Sequence, residues 1–306
     1  MSAQVKRHIG LFLLAMAILI LGTLPLILKI LVQKIDPITL TWYRLTGAGA
    51  LLAAIGGRTL LSDLKANATA RGTKLVVTTG AGLIGNYVLF VTGLLYLSPS
   101  TAHIVLQITP FLILAGGVLL YREPFNIRLV LGVLLLETGS ALFFNQRYAE
   151  IRWGTDFVVG VGILIICAVS WAVFFLTQKA LHPTMRSSTI IFCCCAIGSV
   201  TLLPFASHSS IACLDGRLLI FLTCSTIATA VSYTSLSTAM RTISATTTGL
   251  AIATVPLVTV FAMMLLASHI DGLFEENLNT LAVVGAVLVV IGLMVGTMKP
   301  RPFESI

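Results

Sequence analysis

The chain of 306 residues is 57% hydrophobic, has a mean hydropathy of +1.02 and contains only 10% charged residues. This apolar content exceeds what a soluble core could bury, so the composition excludes a soluble globular protein and indicates an integral membrane protein. The net charge of +8 is not accompanied by a basic segment interleaved with aromatic residues, which disfavours nucleic acid as a partner.

Apolar runs of about 20 residues, long enough for a helix to cross a bilayer core of roughly 30 Å, recur from end to end. The first run begins near Ile9, lacks a small-residue cleavage site and is predicted to be a retained span. The sequence therefore predicts an all-α integral membrane protein with ten transmembrane helices joined by short loops. These spans are centred near Leu21, Leu45, Ile84, Leu112, Leu135, Cys167, Cys195, Ala228, Val255 and Val287.

The basic residues are divided unequally between the two sides of the predicted membrane. With the N-terminus inside, the inner segments hold thirteen of the 19 Lys and Arg, the outer segments hold four, and Lys29 and Arg44 fall within spans. Since positive charge is enriched on the cytoplasmic side, this distribution predicts a multi-pass protein of the bacterial inner membrane with both termini in the cytoplasm. The outer four are Lys34, Arg147, Arg152 and Arg217.

The chain contains an internal repeat. Residues 86–111 (NYVLFVTGLLYLSPSTAHIVLQITPF) align without a gap with residues 232–257 (SYTSLSTAMRTISATTTGLAIATVPL), at a shift of 146 residues. The same register, within one residue, places Pro37 on Pro183 near the start of each half. Two repeats of five spans are predicted, at residues 1–150 and 151–306. Because five is odd, the second copy enters the membrane from the opposite side, and inverted repeats are typical of secondary transporters.

Two prolines occupy equivalent positions in these repeats, Pro110 in the fourth span and Pro256 in the ninth. At about 1.5 Å per residue, Pro110 is predicted to lie roughly 15 Å deep, near the bilayer centre. A proline removes one helix hydrogen bond, and broken backbone at this depth is tolerated where it is buried in protein or lines a cavity. We therefore expect a cavity between the repeats at the membrane midplane.

Four segments carry a family resemblance: DPITLTWYRL (36–45), LYLSPSTAHIVLQITPFLILAGGVLLYREP (95–124), SWAVFFLTQKAL (170–181) and SATTTGLAIATVPLVTVF (244–261). Their order and spacing resemble the drug/metabolite transporter superfamily, specifically its ten-helix permeases with two EamA-type repeats. The resemblance implies a carrier without ATPase domains that exports amino acids, other metabolites or drugs. Two departures leave the substrate open: the chain has GTLPL at residues 22–26, where the family often has tryptophan, and His269 where the second repeat would match Glu123.

The candidate substrate-binding residues combine this resemblance with the polar stripe on the fourth span. Arg44 either reaches the outer interface by snorkelling or lies on the transport pathway. His103 and Gln107, four residues apart, either line the cavity or form hydrogen bonds between helices. The excess of cationic groups within the spans favours a substrate with a carboxylate. The full set is Arg44, Asn86, Tyr87, Ser100, His103, Gln107, Pro110, Trp171, Ser232, Tyr233, Thr246, Gly249 and Pro256.

Two residues are candidates for proton coupling, His103 and Glu137. Glu137 is the only acid clearly within a predicted span, where it either exchanges protons or forms a structural ion pair with Arg44 or Lys29. The ion pair is the favoured interpretation, because the fifth helix of this family tends to lie at the periphery.

The remaining motifs indicate packing rather than chemistry. The six cysteines form no CxxC pair, so neither a metal nor another cofactor is expected. A membrane-embedded enzyme is the alternative class, but the chain has no HExxH, GxSxG or Walker sequence. The expected partners are a small-molecule substrate and the lipid bilayer. Gly292 and Gly296 form a GxxxG that predicts either close helix packing or a homodimer.

Overall fold

The computed structural model describes residues 3–122, 127–148, 154–212, 214–266 and 279–297, and nearly all of them are helical. A short 3₁₀ turn, Leu203–Phe205, follows the ninth helix. The helices are α1 (Ala3–Leu31), α2 (Pro37–Ala66), α3 (Ala70–Tyr96), α4 (Pro99–Leu106), α5 (Ile108–Tyr121), α6 (Ile127–Phe143), α7 (Asn145–Tyr148), α8 (Thr155–Leu181), α9 (Ser187–Leu202), α10 (Ser209–Ala212), α11 (Gly216–Ala239), α12 (Ala245–Ile252), α13 (Val255–Leu266) and α14 (Thr280–Thr297).

The ten predicted spans are confirmed. In the described ranges, nine segments of at least 18 residues are apolar enough to cross a membrane, and the tenth span is α6, which is 17 residues long. Two of the nine are interrupted helices: α4 and α5 together form Thr101–Tyr121, and α12 and α13 form Thr247–Leu265.

The two interrupted spans have the same local design. Ser98 and Ser244 cap the first short helix of each span, since each hydroxyl accepts a hydrogen bond from the backbone N–H three residues later, at 3.2 Å and 3.1 Å. The helix then breaks at Gln107 in the first half and at Ala253 in the second, three residues before the proline. Serine caps and prolines thus set both the start and the break of each span.

Helices of one half pack mainly against helices of the other half, in pairs related by a two-fold axis, as inverted repeats require. The helix α1 packs against α11 and α13, and its counterpart α8 packs against α3 and α5. The equivalent helices α2 and α9 pack against each other, as do α6 and α14. Each half therefore completes the other, and the core lies between them.

The register of the repeat differs between its parts. The spans α3 to α5 keep the shift of 146 residues, but α1 ends at Leu31 and α8 ends at Leu181, which is a shift of 150. The shift changes because the second span and its loop are longer in the first half. The starts of α2 and α3 are 33 residues apart, whereas the starts of the equivalent helices α9 and α11 are 29 residues apart. The predicted match of Pro37 with Pro183 is therefore wrong. Lys29 corresponds to Lys179, and Arg44 corresponds to Cys194.

Glycines bring α6 and α14 into close contact. A Cβ atom on Gly285 would lie 2.3 Å from the backbone nitrogen of Phe143, and one on Gly292 would lie 2.5 Å from that of Leu136. A Cβ on Gly296 would contact the side chain of Leu250 at 2.7 Å. The GxxxG sequence therefore serves packing within the chain, and the homodimer stays a prediction without support from these glycines.

Gly285→Ala is expected to lower the free energy of unfolding by about 1–3 kcal/mol, because the added methyl group meets backbone atoms that cannot rotate away. Gly162→Ala in α8 is the matched control, since a Cβ there would meet nothing within 4 Å. The control should gain about 0.5–1 kcal/mol from helix propensity. Thermal unfolding of both variants in detergent compares them, and equal melting temperatures would contradict the close α6–α14 contact.

Candidate functional site

A cavity of about 860 Å³, including its mouth, lies between the two halves at the helix breaks. Both prolines and the ends of both short helices line it. Its walls come from α1, α2 and α3 to α5 of the first half and from α8 and α11 to α13 of the second. Ten of the predicted site residues line this cavity: Arg44, Asn86, Tyr87, His103, Gln107, Pro110, Trp171, Tyr233, Gly249 and Pro256.

Three predicted site residues do not join this group. Ser232 is fully buried, and its hydroxyl donates to the carbonyl of Thr229 in its own helix at 3.5 Å, so it lies behind the cavity wall. The side chains of Ser100 and Thr246 lie outside the described part of the structure.

Arg44 points into the protein and does not snorkel to the interface. It is only 2% exposed, and its Nη2 donates a hydrogen bond of 3.0 Å to Oγ1 of Thr229, which belongs to the other half. Its guanidinium carbon lies 4.6 Å from the centre of the Tyr87 ring, a cation–π distance. The buried Nε has no hydrogen-bond partner in the described part of the chain. Within the same ranges, Arg44 makes no ion pair with a carboxylate.

Aromatic rings from both halves form the wall beside Arg44. The rings of Tyr87 and Tyr233, which occupy equivalent repeat positions, lie 5.1 Å apart. Trp171 meets Tyr233 edge to face at 5.7 Å and an interplanar angle of 87°. Such contacts hold the rings in fixed orientations, which gives the cavity a rigid apolar surface with a cation at one side.

His103 and Gln107 both line the cavity and both contact other helices. Cavity lining and interhelical contact, predicted from the sequence as alternatives for this polar stripe, therefore occur in the same residues. The Nε2 atom of His103 lies 3.2 Å from Oγ1 of Thr259 in α13. The side-chain amide of Gln107 donates a short hydrogen bond to the hydroxyl of Ser140 in α6. The stripe therefore ties α4 to the second half and to α6 while presenting polar groups to the cavity.

Glu137 lies outside the cavity lining, half-buried on α6. The favoured ion pair is wrong. The ammonium group of Lys29 donates instead to the carbonyls of Leu94 and Leu97 at the end of α3, and Arg44 bonds to Thr229. The Oε1 atom of Glu137 is buried without a hydrogen-bond partner in the described residues. Proton coupling by Glu137 or His103 stays a prediction.

The apolar part of the lining was not predicted. Four of its eleven residues come from one side of α1, where the residues resemble their lipid-facing neighbours in composition. Pro25, inside the GTLPL segment that departs from the family pattern, was the one available signal. The additional lining residues are Leu21, Leu24, Pro25, Leu28, Phe90, Leu106, Thr109, Ile113, Ile252, Ala253 and Val255.

The ten spans, the inverted halves and a cavity at the paired helix breaks are the architecture of a membrane carrier of the inverted-repeat class. Comparison with known proteins gives the family. The model of the EamA-like transporter family matches residues 8–145 and again residues 158–298. The chain belongs to the EamA-like transporter family, within the drug/metabolite transporter superfamily, as its sequence predicts.

The relatives are transporters whose substrates their names do not give. The uncharacterized inner membrane transporter YhbE of Escherichia coli K12 is 30% identical over 302 residues, covering 97% of this chain and 93% of that protein. An uncharacterized transporter of Haemophilus influenzae is 28% identical over 283 residues, covering 89% of each chain. A crystal structure with a TM-score of 0.75 and 20% identity covers 99% of this chain and 100% of that one, which shows the shared fold.

Proposed function

We propose that this protein is a secondary transporter that exports small amphipathic metabolites, such as amino acids or drug-like compounds, by alternating access. The observation that carries the proposal is the cavity at the two helix breaks, because it draws its walls from both halves. A rocking movement of one half against the other would then open the same cavity first to one side of the membrane and then to the other.

The packing on the two sides of the cavity supports this cycle. The lining residues of α1 run from Leu21 to Leu28, in its C-terminal half. In the N-terminal half, Leu14 and Ala17 are buried in one apolar cluster with Met240 and Ile243 at the end of α11. We expect this cluster to separate when the cavity opens towards the N-terminal side, and the cluster around Leu31 and Leu97 to separate when it opens towards the other side.

The proposed orientation follows the distribution of basic residues, with both termini in the cytoplasm of a bacterial cell and the spans in its inner membrane. In this orientation the cluster around Leu14 and Ala17 lies on the cytoplasmic side of the cavity. Attachment of a membrane-impermeant thiol reagent to single cysteines at the two termini, in intact and in permeabilised cells, tests this orientation.

Expression of the protein in cells that lack it is expected to raise tolerance to its substrates and to lower their accumulation, measured across a panel of amino acids, organic acids and drugs. Gly249→Leu should reduce that efflux at least tenfold, because the new side chain enters the cavity beside Ile113, whose Cγ2 would lie 3.0 Å from a Cβ at this position. Gly162→Leu in α8, where a Cβ would meet open space, should leave efflux unchanged. If no compound of the panel is exported, or if Gly249→Leu matches its control, the proposal fails.

A further inference from the structure

We infer that the cavity selects apolar molecules with one carboxylate and no ammonium group, and that Arg44 binds this carboxylate. The inference rests on the proposed transport function and restricts its substrates, because it retains amphipathic organic acids and excludes free amino acids, which carry an ammonium group.

The first argument is that the charge of Arg44 is not compensated within the described structure. A guanidinium group that is 98% shielded from solvent inside a membrane span is unfavourable unless an anion or water offsets its charge. Its partners here are the neutral hydroxyl of Thr229 and the ring of Tyr87. A substrate carboxylate would supply the missing negative charge, so binding gains energy from a group that the protein has already buried.

The second argument is geometric. Guanidinium and carboxylate groups form paired, parallel hydrogen bonds, and Arg44 is a lining residue whose buried Nε has no hydrogen-bond partner in the described residues. The hydroxyl of Tyr87 is occupied by its neighbours Thr229 and Tyr233, so the donors available to a carboxylate are those of the guanidinium group. The Nε and one Nη of a guanidinium group can together bind the two oxygens of one carboxylate.

The third argument is that the lining has no group to neutralise an ammonium ion. The described lining contains one arginine and one histidine but no aspartate or glutamate. The ammonium group of a free amino acid would therefore meet only neutral acceptors, such as the amide oxygen of Asn86, while remaining close to the Arg44 cation. A doubly charged phosphate would meet one permanent cation, since the described lining contains one arginine and no lysine. One guanidinium group matches one negative charge.

The fourth argument is the apolar remainder of the lining. Leu21, Leu24 and Phe90 lie with Trp171 and Tyr233 around the same space. These side chains favour a hydrocarbon or aromatic body on the substrate, because it displaces water from apolar surface. The geometry thus corresponds to an amphipathic organic acid with a polar group at one end.

Binding of three probes of nearly equal shape to the purified full-length protein in lipid nanodiscs tests the inference: 3-phenylpropanoate, L-phenylalanine and 3-phenylpropanamide. Calorimetry or a radioligand assay should show 3-phenylpropanoate binding at least tenfold more tightly than either other compound. The amide keeps the shape without the charge, and phenylalanine keeps the carboxylate but adds the ammonium group. Equal binding of acid and amide overturns the role of the carboxylate, and tightest binding of phenylalanine overturns the exclusion of the ammonium group.

Variants of Arg44 extend the same assay. Arg44→Gln should weaken 3-phenylpropanoate at least tenfold and leave the amide unchanged, and Arg44→Lys should give an intermediate loss because it keeps the charge but not the paired geometry. Lys29→Gln is the control, since Lys29 is a cation within a span that does not line the cavity, and it should not change the ratio of acid to amide affinity. The wild-type comparison needs no variant, so a misfolded Arg44→Gln protein leaves the test intact. Failure of all three probes to bind overturns the inference, whereas export of other panel compounds would still uphold the proposed function.

Discussion

Pro110→Ala is expected to slow transport by roughly 10- to 100-fold while raising the melting temperature of the protein. The proline has no N–H to donate to the carbonyl of Leu106, and the N–H of Gln107 between them bonds to the carbonyl of Ile104, three residues back, at 3.2 Å. Alanine supplies the missing donor, so α4 and α5 can join into one continuous helix. A proline in the interior of a continuous helix destabilises that helix by about 3 kcal/mol. Replacing it with alanine therefore shifts the equilibrium between the broken and the straight form of this span about 100-fold towards the straight form.

Efflux assays on the intact transporter measure this effect, and Pro99→Ala serves as the control. Pro99 is the first residue of α4, where no intrahelical hydrogen bond involves the residue's N–H, so its replacement should change neither rate nor stability appreciably. Pro256→Ala should reproduce the loss, because Pro256 and Ile252 stand in the same relation at the second break. A stabilised Pro110→Ala protein with normal transport would show that the cycle does not depend on the break.

These breaks are the part of the site that could be predicted from the sequence. A proline in an apolar span, repeated 146 residues later, has a strong and local physical effect on the backbone, so no tertiary information is needed to place it. The neighbouring polar residues followed from helical spacing alone, since His103, Gln107 and Pro110 lie on one side of a continuous α-helix. The structure retains that side as the cavity wall even though the helix is interrupted.

The orientation of residues around the longer helices could not be predicted. In a soluble helix the polar face reveals the buried face, but α1 is apolar on every side, so its cavity face and its lipid face have the same composition. The same ambiguity applied to Arg44, for which interface and interior were both open. The contact with Thr229, 185 residues away, settles its direction and depends on the packing of two repeats.

The repeat register failed for a related reason. The gapless match of residues 86–111 with 232–257 is correct, and extending it to α1 and α2 assumed equal loop lengths. The first half is longer by four residues between the starts of α2 and α3, and four residues is close to one helical turn. A shift of one turn leaves the same face of the helix buried, so the apolar pattern alone could not reveal the error.

A polar contact at the other end of α2 was also invisible in the sequence. Asp63 is only 8% exposed, and its Oδ2 accepts hydrogen bonds from the backbone N–H of Arg186 at 3.1 Å and from Oγ1 of Thr189 at 2.8 Å. Arg186 is the N-cap residue of α9 but provides no side-chain cap of its own. The carboxylate of Asp63 therefore caps α9 from another helix, where it also lies at the positive end of the helix dipole.

Asp63→Ala is expected to lower the free energy of unfolding by about 2–4 kcal/mol. Hydrogen bonds to a charged group contribute about 1.5–3 kcal/mol each, and two neutral donors of α9 lose their acceptor together, so the losses overlap. The salt bridge to the guanidinium of Arg186 adds little, because its Nε lies 3.9 Å from Oδ1 and that side chain is 51% exposed. Chemical or thermal unfolding in detergent measures the loss.

Asp156→Ala provides the matched control, since Asp156 is an exposed acid in the first turn of α8 and contributes mainly through the helix dipole, about 0.3–1 kcal/mol. Asp63→Asn should fall between the two, because the amide oxygen still accepts one hydrogen bond but carries no charge. Equal destabilisation by Asp63→Ala and Asp156→Ala would contradict the capping role. A larger loss at Asp63 would show that α2 and α9, which pack against each other across the two halves, are joined by a polar contact as well as by their apolar faces.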